Sequence, residues 1–478
     1  MEYIYRFRPV SRLLNEDAVS GELDSQYIFF AEPQSLNDPL EGFKYVYFSG
    51  DKIIWRNLLR HYVRCLINDF SISMISRPDE EPSRLIGVFA NAQDSPPAIN
   101  EINDEVMNEL DKEPVIKKYF DILGNGRKIS RPELIGHLNL IHFSALTAIL
   151  TTFKNKGLFA GDLNFYAHAA RDQISKIKLV LNEVSEAGEF SKELERVLIN
   201  TYRLITELQL RNRYKLDASD QHESWNHLLF EYPESFAKSL DSLIYPEWYV
   251  ACFMESCSDS SIWGTYGGNH RDVCLKFKVD PGESRPTLEL NYPAGLNNAG
   301  IMHNYIKIPL DKISYDKNFV EVDFFRSLGQ LSMPQIDEWY RSEEGGFSIC
   351  AQEMRSDVEA WRKAYWNNFV ESSKIKIKAW DREQEWRITL HSTINDFDDP
   401  NTRKIKYRFN SLDGIIFGIN TVMADKIKII RRIEALCKEH KREVFNFYQA
   451  AFDDNSKTIK HDLLSYIDVG YRDSTHSL

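Results

Sequence analysis

The apolar residues of this 478-residue chain change their spacing twice along its length. Near the start, Tyr3-Ile4-Tyr5-Arg6-Phe7-Arg8 and Gln26-Tyr27-Ile28-Phe29-Phe30 alternate as strands do, with a short helix expected between them from Val10 to Ser20. From residue 52 to 245 the spacing becomes helical, as in Leu194, Val197, Leu198, Tyr202, Ile205 and Leu208. After Pro246 it shortens again. Trp248 to Met254, Val273 to Val279, Thr287 to Leu290, Lys374 to Ala379, Glu385 to Leu390 and Lys404 to Phe409 all suit strands. In Lys374-Ile375-Lys376-Ile377-Lys378 the strict alternation predicts one buried face and one wet face, with the lysines in water. A lone N-terminal strand pair cannot bury its own apolar side, so it must complete a sheet made by the C-terminal half. The expectation is an α+β fold. A split mixed or antiparallel β core is built from 1–50 and 246–450, with an all-helical insertion over 51–245 and an extension over 451–478.

Composition narrows the classes. Hydrophobic residues at 43%, aromatics at 13% and charged residues at 27% exclude a disordered or fibrous chain. With 59 basic and 71 acidic residues the net charge is −12, which lacks the global footprint of a non-specific polyanion binder. Six cysteines without a CxxC pair exclude a disulfide framework or ribbon-type zinc site and suit a reducing compartment. The N-terminus has neither the basic nor the apolar segment of a signal peptide, so a cytoplasmic location is expected. The most apolar long segment, Leu134 to Phe153, is interrupted by His137, Asn139 and His142 and reads as a buried helix, not a membrane span. No membrane partner is expected.

Four segments in one order carry a resemblance. They are Tyr5-Arg6-Phe7-Arg8 with Phe30-Ala31-Glu32-Pro33-Gln34-Ser35-Leu36-Asn37-Asp38-Pro39-Leu40-Glu41, then Cys252-Phe253-Met254-Glu255, then Trp263-Gly264-Thr265-Tyr266-Gly267-Gly268-Asn269-His270, then Trp380-Asp381-Arg382-Glu383-Gln384-Glu385-Trp386-Arg387. Together they resemble the bacterial family known as domain of unknown function 2971. The chain departs from that pattern at Leu36 and Leu40 (Phe in the family), Gly267 (Ala) and Met254 (Ser), the last removing a hydroxyl. The likeness covers the two chain ends and Gly414-Ile415-Ile416-Phe417-Gly418, while the helical block has no counterpart in it.

That family name supplies no activity, so the residues must. A strand over Glu383 to Leu390 puts Trp386, Ile388 and Leu390 on one side and Glu383, Glu385 and Arg387 on the other. Such a face is either an ordinary ion-paired surface or a catalytic one. An Arg in the first strand, a middle aromatic segment and a late Glu-x-Glu are also similar, more loosely, to ADP-ribosyltransferases. That likeness implies an NAD-consuming transferase, a bacterial toxin or phage-defence effector. Glu385 would stabilise positive charge on the nicotinamide ribose, Glu383 would orient or deprotonate the acceptor, and Arg8 would clamp a phosphate. Tyr266 and Trp263 would stack on nicotinamide, Asn37, Asp38 and Arg387 would complete the NAD-binding set, and His270 is a further candidate base. One shared cleft is expected for these polar residues.

Duller readings stand beside these. Arg8 could pair with Asp38 or Glu41, Trp263 and Tyr266 could be core aromatics, Asn37-Asp38-Pro39 a turn, and His270 a hydrogen-bonding residue. The competing classes are a metal-dependent nuclease on Asp38, Glu41, Glu383 and Glu385, and a non-enzymatic interaction protein. His222 and His227, beside Glu223, lack the helical metal spacing of four, and no metal is expected. The acceptor would be a protein or a nucleic acid, and the helical insertion a partner, regulatory or homo-oligomer surface.

Overall fold

The structure, a computed structural model, describes residues 1–14, 21–75, 86–215, 223–282, 284–298, 300–391 and 397–471. Two compact units emerge, one from Met1–Phe43, Glu247–Phe319 and Val370–Leu478, the other from Lys44–Pro246 and Val320–Phe369.

The first unit is built on an eight-stranded mixed sheet. In chain order its strands are β1 (Tyr3–Arg8), β2 (Tyr249–Met254), β3 (Val273–Lys278), β4 (Asp311–Lys312), β5 (Glu385–Leu390), β6 (Leu412–Phe417), β7 (Asn446–Asp453) and β8 (Thr458–Leu463). Their order across the sheet is β8-β7-β6-β3-β1-β2-β5-β4. The N-terminal strand therefore sits in the middle of strands from after residue 246, as the change of period requires. Only β6 and β7 run parallel, and the helix Met423–His440 makes the crossover between them. Each face has its own apolar layer. Ile4, Phe253, Leu275, Phe277, Ile388, Leu390 and Ile415 share one with Ile429 and Ile433 of that helix. Phe7, Met254, Cys274, Ile416, Ala450 and Ile459 share the other with Trp263.

Register decides which polar residues share a side. Tyr5 lies opposite Met254 and Met254 opposite Glu385, so these three point the same way. Arg6 and Arg8 alternate with Tyr5 and Phe7 and leave the opposite face, on the side of Ile4. Beyond the Tyr5–Met254 pair, β1 and β2 part. Val250 instead exchanges backbone hydrogen bonds with Ala31 (2.8 and 2.9 Å). Arg6 spans the opening, donating to the Cys252 carbonyl (2.9 Å) and the Phe29 carbonyl (3.0 Å).

The second unit is helical. Its long helices are α1 (Lys52–Ile75), α2 (Pro97–Asp111), α3 (Pro114–Leu123), α4 (Arg131–Asn155), α5 (Asn164–Ala187) and α6 (Lys192–Lys215). One of these, α4, is long and apolar enough to cross a membrane, and 72% of its most apolar window is buried inside the protein. Its interrupting histidines are satisfied internally: His137 meets Tyr119 and Glu133, and His142 meets Tyr62 and the Leu228 carbonyl.

Three boundaries differ from the expected ones. Residues 44–50 and 320–369 belong to the helical unit, because Glu321–Asp323 pairs in parallel with Tyr45–Phe48 and Phe324 and Phe325 pack on Phe48. Residues 451–463 are no extension. They finish β7 and form β8, burying Ile459 in the second apolar layer. Lys374 to Ala379 is not a strand: Ile375 makes a single bridge to Ser314, and a 3-10 helix begins at Lys378.

Candidate functional site

A cleft of about 400 Å³ opens where β1 and β2 part. Its walls include Tyr5 and Phe7 from one side of β1, Arg6 and Arg8 from the other, and Cys252 and Met254 from β2. Asn37, Tyr266, Lys376, Glu383 and Glu385 line it as well. It meets a second groove of about 880 Å³, and Arg8, Arg12 and Phe29 line both.

Behind the cleft lies a sealed ion cluster. The Lys376 ammonium is 2.6 Å from Glu383 Oε2, 3.2 Å from Glu385 Oε2 and 3.9 Å from Glu41 Oε2. Arg387, fully buried, donates to Glu385 Oε1 (3.0 Å from Nε, 2.8 Å from Nη2), to Glu41, and to the Ser373 carbonyl (2.8 Å). The Tyr266 hydroxyl donates to Glu383, and the Glu385 backbone N–H donates to the Tyr315 hydroxyl (2.9 Å). Local chemistry puts these groups there. Asp38 accepts from the Leu40 backbone N–H (2.9 Å), the Asx turn that delivers Glu41. The 3-10 helix Lys378–Glu383 ends in a left-handed Gln384 (φ 42°), so Glu383 reaches the cluster from outside β5.

Three carboxylates (Glu41, Glu383, Glu385) face two cations (Lys376, Arg387), which leaves one negative charge in excess. The environment divides the two cleft glutamates. Burial carries the Glu383 carboxyl above its ordinary value despite Lys376 and the Tyr266 hydroxyl. Burial acts the same way on Glu385, but Arg387 and then Lys376 outweigh it and hold that carboxyl below its ordinary value. Two carboxylates pushed apart in this way suit different work: Glu385 stays ionised and can oppose a developing positive charge, while Glu383 can carry a proton.

The sequence-expected residues scatter around this arrangement. Asn37, Tyr266, Glu383 and Glu385 line the cleft together. Arg8 also lines it, but it leaves the sheet face opposite to Glu385, so the single-faced site does not form. Its guanidinium forks onto Glu22, not onto Asp38 or Glu41. Arg387 is a buried ion partner behind the cleft, and Asp38, 2% exposed, serves its turn. Trp263 is core: it is fully buried, packs edge-on to Phe7 at 4.8 Å and donates to the Cys257 carbonyl (2.7 Å). His270 lies outside the cleft. Gly268, Asn269 and His270 take left-handed conformations in succession (φ 55°, 54° and 65°), which folds the imidazole back against Trp263.

Two residues were missed in the sequence reading. Lys376, assigned to a wet strand face, is 5% exposed at the centre of the cluster. Arg12, at the junction of cleft and groove, makes no side-chain hydrogen bond or ion pair among the described residues. A lysine in an otherwise regular alternation carries no mark of burial, whereas the position of Arg12 only four residues after Arg8 at the end of β1 could have drawn notice.

The nuclease set converges only in part. Glu41, Glu383 and Glu385 surround the Lys376 ammonium, and Asp38 stays apart; among the described residues no group of three or more His, Cys, Asp or Glu is placed to hold a metal ion. His227 Nδ1 is 3.6 Å from Glu231, and His222 lies outside the described residues. Comparison with family models, curated proteins and solved structures finds no match.

Proposed function

We propose that this chain is an NAD-consuming transferase of ADP-ribosyltransferase type. The observation that carries the reading is Glu385: an ionised carboxylate at the wall of a cleft, fixed by Arg387 and Lys376 so that no reorganisation is needed when charge develops. Departure of nicotinamide leaves positive charge on the ribose, and a preorganised carboxylate lowers the cost of that charge. Glu383, with its raised carboxyl and its Tyr266 partner, accepts the proton of the attacking acceptor.

The residues fit NAD in three respects. The cleft offers aromatic surface from Tyr5, Phe7 and Tyr266 to a nicotinamide ring. Arg12, without an ion partner among the described residues, can fork onto the diphosphate, a task Arg8 cannot do while it is neutralised by Glu22. The adjoining groove gives room for the remainder of a dinucleotide. The likeness to the domain of unknown function 2971 family, and the role of a toxin or phage-defence effector in the cytoplasm with a protein or nucleic-acid acceptor, belong to the same proposal.

Incubation of the full chain with NAD and chromatographic measurement of free nicotinamide tests it. Release above the rate without protein supports the transferase. Neither binding nor release of nicotinamide, with candidate acceptors present, ends it.

A further inference from the structure

We propose that the outer face of α6 is an interface between two copies of this chain, packed antiparallel across a two-fold axis. The proposed transferase chemistry makes no use of this face, and its test is independent of that reading.

The argument begins with how α6 is held. One stripe of the helix, carrying Leu194 and Leu198, is buried. The backbone there lies so close to α4 that a Cβ on Gly136 would come within 2.9 Å of the Leu198 carbonyl oxygen. Further along, Gln209 donates to the Phe230 carbonyl (2.7 Å). These contacts fix which side of α6 looks outward.

A second apolar stripe faces solvent. At 3.6 residues per turn, Val197, Leu204 and Leu208 fall within about 40° of one another around the helix. They are 51%, 60% and 52% exposed. A surface helix ordinarily turns its apolar positions inward and its polar ones outward, so a stripe left over once the inner one is buried marks a contact surface.

The two ends of this stripe carry opposite charge. Glu193 and Arg211 are separated by five full turns, so they stand one above the other along the edge of the stripe, the acid at its start and the base at its end. Among the described residues Glu193 meets Arg196 (3.0 Å), a well-exposed pair of little energetic weight, and Arg211 makes no hydrogen bond or ion pair.

A face that is acidic at one end, apolar in the middle and basic at the other is complementary to itself turned end for end. With the axis beside residue 202, Glu193 of each copy faces the partner's Arg211, Val197 lies beside the partner's Leu208, and the two Leu204 side chains meet near the axis. Parallel pairing would set like charges against each other at both ends. A single helix pair buries less than a standard interface, which makes the dimer a weak one, with a Kd of about 10–100 μM.

Sedimentation equilibrium of the full chain from about 1 to about 300 μM tests the interface. Salt near 0.15 M screens the net charge of −12 that each copy carries. Expected is a reversible monomer–dimer equilibrium. Leu204→Glu should weaken it about tenfold or more, while the melting temperature of the monomer holds because the position is exposed. Glu193→Arg should weaken it about fivefold, since symmetry makes two repulsive contacts of one change. Combining Glu193→Arg with Arg211→Glu should restore the dimer, because the exchange re-forms both pairs across an antiparallel interface. A chain that stays monomeric throughout, a dimer indifferent to Leu204→Glu, or a double variant no tighter than Glu193→Arg alone would overturn the proposal. Should Leu204→Glu fail to fold, the charge exchange decides alone.

Discussion

The ammonium of Lys376 lies 2.6 Å from Glu383 Oε2, with the two side chains only 5% and 4% exposed. A pair so thoroughly desolvated persists only when its partners complete it, and Glu385, Glu41, Arg387 and Tyr266 do so here. The cluster is at once a structural clasp, tying the 374–383 segment and the Glu41 loop to β5, and the rear wall of the cleft.

Removing the central cation should therefore cost stability. Lys376→Met leaves three carboxylates facing Arg387 alone, and an uncompensated buried charge typically costs about 3–5 kcal/mol. Urea unfolding near pH 7 checks this, with a clear fall in midpoint expected. A midpoint within error of wild type would mean that the cluster is open to water.

The pH dependence separates the two glutamates. Glu383 has a folded-state carboxyl raised above 4.5, so its contribution to stability is present below that value and is lost as pH rises through the folded value. Glu385, lowered from 4.5, behaves oppositely: its contribution is present above that value and is lost as pH falls through the folded one. Glu383→Gln deletes only the first contribution. Denaturant midpoints should shift progressively in favour of this variant, relative to wild type, as pH rises above about 4.5. A constant difference across the range would contradict the assignment.

The two arginines of the groove should part company. Arg8→Ala strands Glu22, 7% exposed, and should lower stability by about 3 kcal/mol. Arg12→Ala removes an exposed guanidinium that has no partner among the described residues, so the melting temperature should hold while KM for NAD rises about tenfold, the loss of one charge-assisted hydrogen bond. Melting curves and nicotinamide-release kinetics on both variants check the division. An unchanged KM in Arg12→Ala would remove Arg12 from the site.

Much of the β core could be read from the change of apolar spacing at the two ends of the helical block, although Tyr3–Arg8 buries Ile4 on one face and Phe7 on the other, and Glu385–Leu390 buries Glu385 and Arg387 opposite Ile388 and Leu390. Sidedness between strands could not. Whether Arg8 and Glu385 share a face depends on the Tyr5–Met254–Glu385 register, a non-local property that no single strand records. Lys376 was misplaced for a similar reason: what seals it is Glu41, 335 residues earlier, together with Glu383 and Glu385. Likewise the bridge from Glu321–Asp323 to Tyr45–Phe48, which draws 320–369 into the helical unit, joins segments far apart in the chain. Asn37, Tyr266, Glu383 and Glu385 were legible as a group because polar and aromatic types recurred in separated segments. The core role of Trp263 and the turned-back His270 follow from packing and backbone handedness that those segments do not reveal.

The most direct test of the central claim is nicotinamide release from NAD by Glu385→Gln and wild-type protein, expressed per folded molecule. Glu385 is 2.8 Å from Arg387, so the variant should also melt earlier, and the comparison belongs at a temperature where both are folded. Wild type should release nicotinamide, and the variant should do so on the order of a hundred- to a thousand-fold more slowly while still binding NAD. Equal turnover per folded molecule, or a wild type that neither binds NAD nor releases nicotinamide, would contradict the account and leave Glu385 as a structural partner of Arg387.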